Sequence, residues 1–265
     1  MKLSTILFAF LASFAFAGFA TADEWGTIKG KFVINGPIKP PAPMPGFAGM
    51  ARIPNQIILV GPKGELQNVA VWLTVERGET YPDPHPSYAE TASDTIEISS
   101  NRFAITPRVT FIHTSQTIRF RNVAPVVENF VVDGFVNAPV NLLLDAGKKQ
   151  DLRFVHEERI PIVIWSGIRH WMQGYLLLLD SPYAAITDAN GEFEIKNLPE
   201  GTWTFTFWHE SVGYLKEITL DGKPQSERKG GYEIEVVVGG SDRPGADRDT
   251  RQAAERVAVL SGHRL

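Results

Sequence analysis

Between Trp25 and Val238 the chain carries no long helical period, and this limits its fold more than any motif does. Apolar residues recur at every second place over short runs, as with Ile28, Gly30, Phe32 and Ile34. In 117–121, Ile118 and Phe120 face one way and Arg119 and Arg121 the other. Strands are predicted at 25–35, 69–75, 95–99, 109–113, 117–122, 126–132, 151–155, 161–165, 174–179, 184–187, 192–196, 202–207, 214–220 and 232–238. Gly, Pro, Asn and Asp punctuate them, and Asp188-Ala-Asn-Gly191 reads as a hairpin turn in which Gly191 takes positive φ. Many short strands at close spacing predict an all-β sandwich. Residues 37–54, rich in Pro and Gly, read as loop or linker. After Gly239-Gly240 the composition turns to dense mixed charge, which predicts a disordered tail with at most one short amphipathic helix over 250–260.

Residues 1–22 have the form of a secretory signal peptide. Lys2 supplies the positive start, 6–19 an apolar stretch, and Ala20-Thr21-Ala22 a small-residue cleavage site, so the mature chain is expected to begin at Asp23. The expected location is periplasmic or secreted, with no membrane span after cleavage. An exported chain would ordinarily have disulfides open to it, but this one has no cysteine. Its stability must therefore come from packing. The same absence removes thiolate metal sites, Fe–S clusters and Cys nucleophiles. Net charge is −4 with scattered Lys and Arg, which argues against nucleic acid as a partner.

Two stretches stand apart from the strand pattern. One is Ser166-Gly-Ile-Arg169-His170-Trp171-Met172, directly after an apolar run that ends at Trp165. The other is Asn122-Val-Ala-Pro125-Val-Val-Glu128-Asn129. The first resembles the Cys-x-x-His-x-x-Met ligand loop of cupredoxins, the small blue-copper β-sandwiches. The second resembles the Asn-x-x-Pro-x-x-His-Asn stretch that carries the first copper His in bacterial secreted members. The gap from Glu128 to Ser166 is of the length that separates that His from the Cys. Downstream, Pro182-Tyr183-Ala184, Thr187-Asp188, Gly191-Glu-Phe193-Glu-Ile195, Leu198-Pro199-Glu-Gly201 and Phe207-Trp208-His209-Glu210 resemble a run that follows the copper loop in proteins labelled methylamine-utilisation-type. The 191–207 part also resembles carboxypeptidase-regulatory-like β-domains. The resemblance covers roughly 25–220 and is specific over 120–210.

It implies a Greek-key, cupredoxin-like sandwich over 69–180, with a transthyretin-like or carboxypeptidase-regulatory-like β region attached over 181–240. Residues 23–68 would form an N-terminal strand and Pro/Gly-rich segment, and 241–265 the charged tail. At the former copper-ligand positions it puts Glu128, Ser166, Arg169 and Met172. A type-1 site needs two His, a Cys thiolate and a weak axial ligand. A Ser alcohol stays protonated and is a hard donor, and Arg169 carries its charge permanently and has no free lone pair. The expectation is therefore no bound copper and no other cofactor, and a Glu128–Arg169 ion pair where two His ligands would stand.

The expected role is non-enzymatic: a binding or structural module at the cell envelope with a protein or glycan partner. Its candidate surface is His170, Trp171, Tyr175 and His209. One alternative is electron transfer or copper handling through non-standard ligands such as His170, Met172 and His209. Another is a carbohydrate-binding accessory role. His209-Glu210 has no second carboxylate at a fixed spacing, and Ser166-Gly167 lacks a Gly-x-Ser-x-Gly frame. Asp188, Asn190 and Glu192 fit a turn rather than an EF-hand loop. His85 and His113 have no convergent partner in the sequence.

Overall fold

The structure, a computed structural model, describes residues 25–38, 41–46, 52–101, 103–227 and 230–237, and the backbone of 255–261. The expected signal peptide and most of the charged tail lie outside the described residues. The strands are β1 (Trp25–Asn35), β2 (Ala70–Thr74), β3 (Thr95–Ser100), β4 (Ile105–Thr106), β5 (Val109–His113), β6 (Thr117–Asn122), β7 (Glu128–Asp133), β8 (Val140–Leu144), β9 (Lys149–Leu152) and β10 (Ile162–Trp165). They continue with β11 (Gln173–Leu179), β12 (Ala184–Ile186), β13 (Glu192–Pro199), β14 (Gly201–His209), β15 (Gly213–Tyr214), β16 (Glu217–Leu220), β17 (Lys223–Ser226), β18 (Gly231–Val236) and β19 (Glu255–Ser261). A single 3-10 turn at Pro86–Glu90 is the helical element among the described residues. The protein is all-β, as the alternation predicts.

Among the described residues the strands make four sheets. Sheet I has the order β13-β1-β19-β16-β17, and sheet II runs β12-β2-β14-β15 with β18 also on β14. Sheet III runs β5-β11-β10-β7-β8, and sheet IV β4-β3-β6-β9. Sheets I and II pack face to face over Phe32, Leu66, Leu73, Phe205, Phe207 and Tyr232. Sheets III and IV enclose a second core of Ile98, Phe120, Phe130, Ile164, Met172 and Leu176. A third cluster joins the backs of sheets II and III: Ala70, Trp72 and Trp208 meet Val109, Leu177 and Leu179. The molecule is thus two sandwiches packed back to back, with sheets II and III buried on both faces.

Two expectations are corrected by this pairing. The run 69–75 is assigned by the sequence reading to the 69–180 sandwich, but β2 hydrogen-bonds to β12 and β14 in sheet II. The sandwich of sheets III and IV runs from Thr95 to Leu179. It is inserted between the two halves of the other sandwich, whose strands come from 25–74 and 184–261. The N-terminal strand expected at 25–35 forms as β1 and lies inside sheet I between β13 and β19. Within the Pro/Gly-rich stretch Met44 and Ile53 exchange two backbone hydrogen bonds of 2.9 and 3.0 Å. Finally, the tail holds a strand rather than a helix or only disorder: β19 runs parallel to β1 and antiparallel to β16.

The Asp188–Gly191 turn forms, but it is not a hairpin. Asp188 Oδ1 accepts from Asn190 N and Glu192 N at 2.8 and 2.9 Å, and Gly191 has φ +72°. Its flanking strands lie in different sheets, β12 beside β2 and β13 beside β1. The turn therefore carries the chain across the core.

Candidate functional site

Three loops gather at one end of the inserted sandwich: the links β3–β4, β6–β7 and β10–β11. The β6–β7 link is shaped by Asn122, which is fully buried. Its Nδ2 donates to Val126 O and Leu144 O at 2.7 and 2.9 Å, and its Oδ1 accepts from Ala124 N at 2.8 Å. One side chain thus satisfies two backbone groups of the irregular loop, ties it to the end of β8, and delivers Glu128 to the first place of β7.

The β10–β11 link folds on itself. Ser166 N donates to Met172 O at 3.1 Å and Met172 N to Arg169 O at 2.8 Å. Ser166 is fully buried, and its Oγ donates to Asn129 Oδ1 at 2.9 Å while accepting from Arg169 N at 3.0 Å. Asn129 Oδ1 also accepts from Ile168 N at 3.2 Å, and Asn129 Nδ2 donates to Asn141 Oδ1 at 3.1 Å. The hydroxyl and the amide together hold the turn that projects Arg169.

Arg169 Nη1 stands 2.6 Å from Glu128 Oε2, so the two residues form the ion pair expected of them. The Glu128 side chain is wholly buried and that of Arg169 is 14% exposed. Nη1 also lies 3.2 Å from Val127 O, to which it donates. Met172 is buried in the core beneath. Glu128, Ser166, Arg169 and Met172 therefore occupy one end of the sandwich, with donors of these kinds: a carboxylate bound to a guanidinium, a hydroxyl already engaged in hydrogen bonds, and a thioether packed in the core.

The candidate surface divides. His170 is exposed. Trp171 is half-buried and leans on the inner core. Tyr175 faces the other way, into the junction of sheets II and III, with its ring 4.9 Å from that of Trp208. His209 belongs to no surface, since it is fully buried. Ser211 N donates to its Nδ1 at 3.3 Å, and Ser211 Oγ lies 2.7 Å away. Burial pulls its pKa down to about 4, and nearby Arg108 adds to this. The Gln67 carbonyl opposes them without forming an aligned hydrogen bond to Nε2. The apolar rim of this end is instead Phe103, Val123, Val126, Val127 and Ile168, between 37% and 47% exposed.

Two buried carboxylates have no signal in the sequence. Glu210 is 2% exposed and forms a bidentate pair with Arg108, whose Nε donates to Glu210 Oε1 at 2.8 Å. Arg108 Nη1 donates to Gln173 O at 2.6 Å, so this pair ties β14 of one sandwich to the start of β11 in the other. Glu158 accepts from Phe135, Val136 and Asn137 N–H groups and from Asn137 Nδ2. Burial would push its carboxyl up, but these donors outweigh burial and leave it below the ordinary value.

Comparison with known proteins finds no matching family model and no matching curated relative. Among solved structures the chain is similar to a purple cupredoxin from Nitrosopumilus maritimus, at 15% identity over 31% of this chain and 98% of that one, with a TM-score of 0.27. It is similar to reduced auracyanin from Roseiflexus castenholzii, at 18% identity over 32% and 96%, with a TM-score of 0.26. It is also similar to a reduced mutant of amicyanin, at 14% identity over 34% and 88%, with a TM-score of 0.30.

Proposed function

We propose that this protein is an exported, non-enzymatic binding module built on a cupredoxin-type sandwich, in which an ion pair stands where copper would be held. The observation that carries the reading is the Glu128–Arg169 contact at 2.6 Å, seated on the hydrogen-bonded Ser166. A type-1 copper site needs a thiolate and two imidazoles. Met172 is the one soft donor gathered here, and beside a hydroxyl, a guanidinium and an ion-paired carboxylate, without thiolate or imidazole, it does not complete a type-1 copper site. The guanidinium and carboxylate instead neutralise each other and close the end of the sandwich. Around them the exposed Phe103, Val123, Val126, Val127 and Ile168 offer an apolar rim of the kind that partner proteins cover. We read the enclosing sandwich as the carboxypeptidase-regulatory-like part, a support for the inserted one. Residues 1–22 supply the export signal.

Isothermal titration of chelator-treated mature protein with Cu(I), Cu(II) and Zn(II) tests the reading. No stoichiometric tight binding is expected, and tight binding of any of the three would overturn it in favour of copper handling through other ligands. The triple change Glu128→His, Ser166→Cys, Arg169→His is expected to restore a strong visible thiolate-to-copper band. A folded triple variant that stays colourless with Cu(II) would show that these are not the former ligand positions.

A further inference from the structure

His85 and His113, unconnected in sequence, meet at one cleft. It lies where the segment after β2 crosses the edge of sheet III, at the border of the two sandwiches. Its volume is about 360 Å³. Pro84, Pro86 and Pro182 give it stiff walls, and Tyr88 and Phe111 contribute aromatic surface. Clefts at such borders, mostly apolar with few polar groups, are where small molecules bind.

The polar groups of this wall are nearly all committed within the protein. Tyr88 Oη donates to Lys196 O at 2.8 Å. Thr91 Oγ1 donates to Tyr88 O at 3.3 Å. Gln116 accepts from His113 N at 3.0 Å and donates to Thr91 O at 3.1 Å. His113 Nδ1 accepts from Ser115 N at 3.2 Å, and its Nε2 is 3.0 Å from Asp180 O, a carbonyl to which it can only donate. Both ring nitrogens are therefore used, and His113 serves as wall rather than ligand.

His85 differs. Its Nδ1 accepts from Ser87 N at 3.1 Å and lies 2.8 Å from Ser87 Oγ. Asn197 Nδ2 donates to that same oxygen at 3.0 Å, which leaves the Ser87 proton for His85 Nδ1. Nδ1 is thus an acceptor, and the ring proton sits on Nε2. Trp25 packs edge-on with ring centroids 4.9 Å apart and fixes the plane of the imidazole. Of the rings and hydroxyls lining the cleft, His85 Nε2–H is the one donor with no acceptor among the described residues.

We propose that this cleft is a binding site for a small, flat, mainly apolar molecule carrying one hydrogen-bond acceptor, which His85 Nε2–H would engage. An apolar cavity of roughly 150 Å³ takes a single benzene ring. A space of about 360 Å³ accommodates a fused two-ring compound with a short substituent. The polar count admits one acceptor and no charge, because no lining side chain carries a charge free to pair with one.

The test uses 2-acetylnaphthalene, which has a carbonyl acceptor, and 2-ethylnaphthalene, which has the same shape without one. Binding to the mature protein is read by ligand fluorescence and calorimetry. The acetyl compound is expected to bind saturably at one site, about five- to tenfold more tightly than the ethyl compound, the ratio one hydrogen bond supplies. Ala92→Trp and, separately, Ala89→Trp at the exposed rim of the cleft are expected to weaken both compounds tenfold or more, with far-ultraviolet dichroism and the unfolding midpoint unchanged. His85→Phe is expected to hold the ethyl affinity and remove the acetyl preference. No saturable binding, binding untouched by both tryptophan variants, or an acetyl preference that survives His85→Phe would each overturn the proposal.

Discussion

A buried carboxylate tolerates its position only while its partner stays. Glu128 has no exposed side-chain surface and Arg169 lies 2.6 Å away, so removing the guanidinium leaves an ion in the interior. Arg169→Ala is expected to lower stability by about 3–5 kcal/mol in denaturant unfolding. The double change Glu128→Leu, Arg169→Met is expected to recover most of that loss, since apolar groups of similar volume replace such pairs at little cost. A double variant as weak as the single one would mean that Arg169 acts through packing instead. His209 gives a second residue-level expectation, this time in pH. Its folded pKa of about 4 lies below the roughly 6.5 of an unfolded His. Above pH ~6.5 both states are neutral and nothing is lost. As pH falls from there to about 4, the unfolded chain binds the proton first, so stability declines by up to about 3 kcal/mol and then levels off. Unfolding of the wild type and of His209→Gln between pH 7 and 4 checks this. Equal slopes for the two would remove His209 as the cause.

At the scale of elements, the sequence is legible where one face of a strand meets water. β1 has the burial order of a half-exposed strand, and its alternation places it correctly. β2 and β11 are different: Val71 and Leu73 enter the first core while Ala70 and Trp72 enter the junction, and Leu176 and Leu178 part from Leu177 and Leu179 in the same way. Strands buried on both faces read as continuous apolar runs. Those runs reveal a strand, but they do not say which sheet holds it, and so β2 is misplaced by the sequence reading. β8 escapes detection because Leu143 points outward and is 69% exposed, which breaks the two-residue period. The Glu128–Arg169 pair is legible through the spacing of two motifs. Arg108–Glu210 is not, because its partners are joined only by the back-to-back packing. The Asp188–Gly191 turn allows a direct test. A Cβ on Gly191 would come 2.5 Å from Phe32 O, whereas Gly147, with a similar φ of +74°, has nothing within 4 Å. Gly147→Ala is expected to cost about 1–2 kcal/mol from its left-handed backbone alone. Gly191→Ala carries the same strain plus a backbone displacement, and is expected to cost clearly more in thermal or denaturant unfolding. Equal losses would mean that the turn moves freely.

On the scale of the whole molecule, four sheets share three apolar layers, and the middle layer is what makes two sandwiches one body. Trp72, Trp208 and Leu177 would otherwise present a wide apolar face to water. The buried Arg108–Glu210 pair fixes the register of that contact, because its fork geometry admits one alignment. The entry and exit of the inserted sandwich lie close together: Thr117 N donates to Asp94 O at 3.0 Å and Thr114 N to Leu179 O at 3.0 Å. That closeness has a consequence in time as well as in space. Synthesis delivers residues 25–74 before 184–261, yet among the described residues the strand partners of β1 and β2 lie between Ala184 and Ser261, although β1 also exchanges backbone hydrogen bonds with Gly64 and Leu66. The inserted sandwich, whose strands all fall between Thr95 and Leu179, can close while those two strands still wait. Two strands made before the inserted sandwich therefore wait on partners made after it, and β1 keeps unpaired backbone along its edges until β13 and β19 cover them.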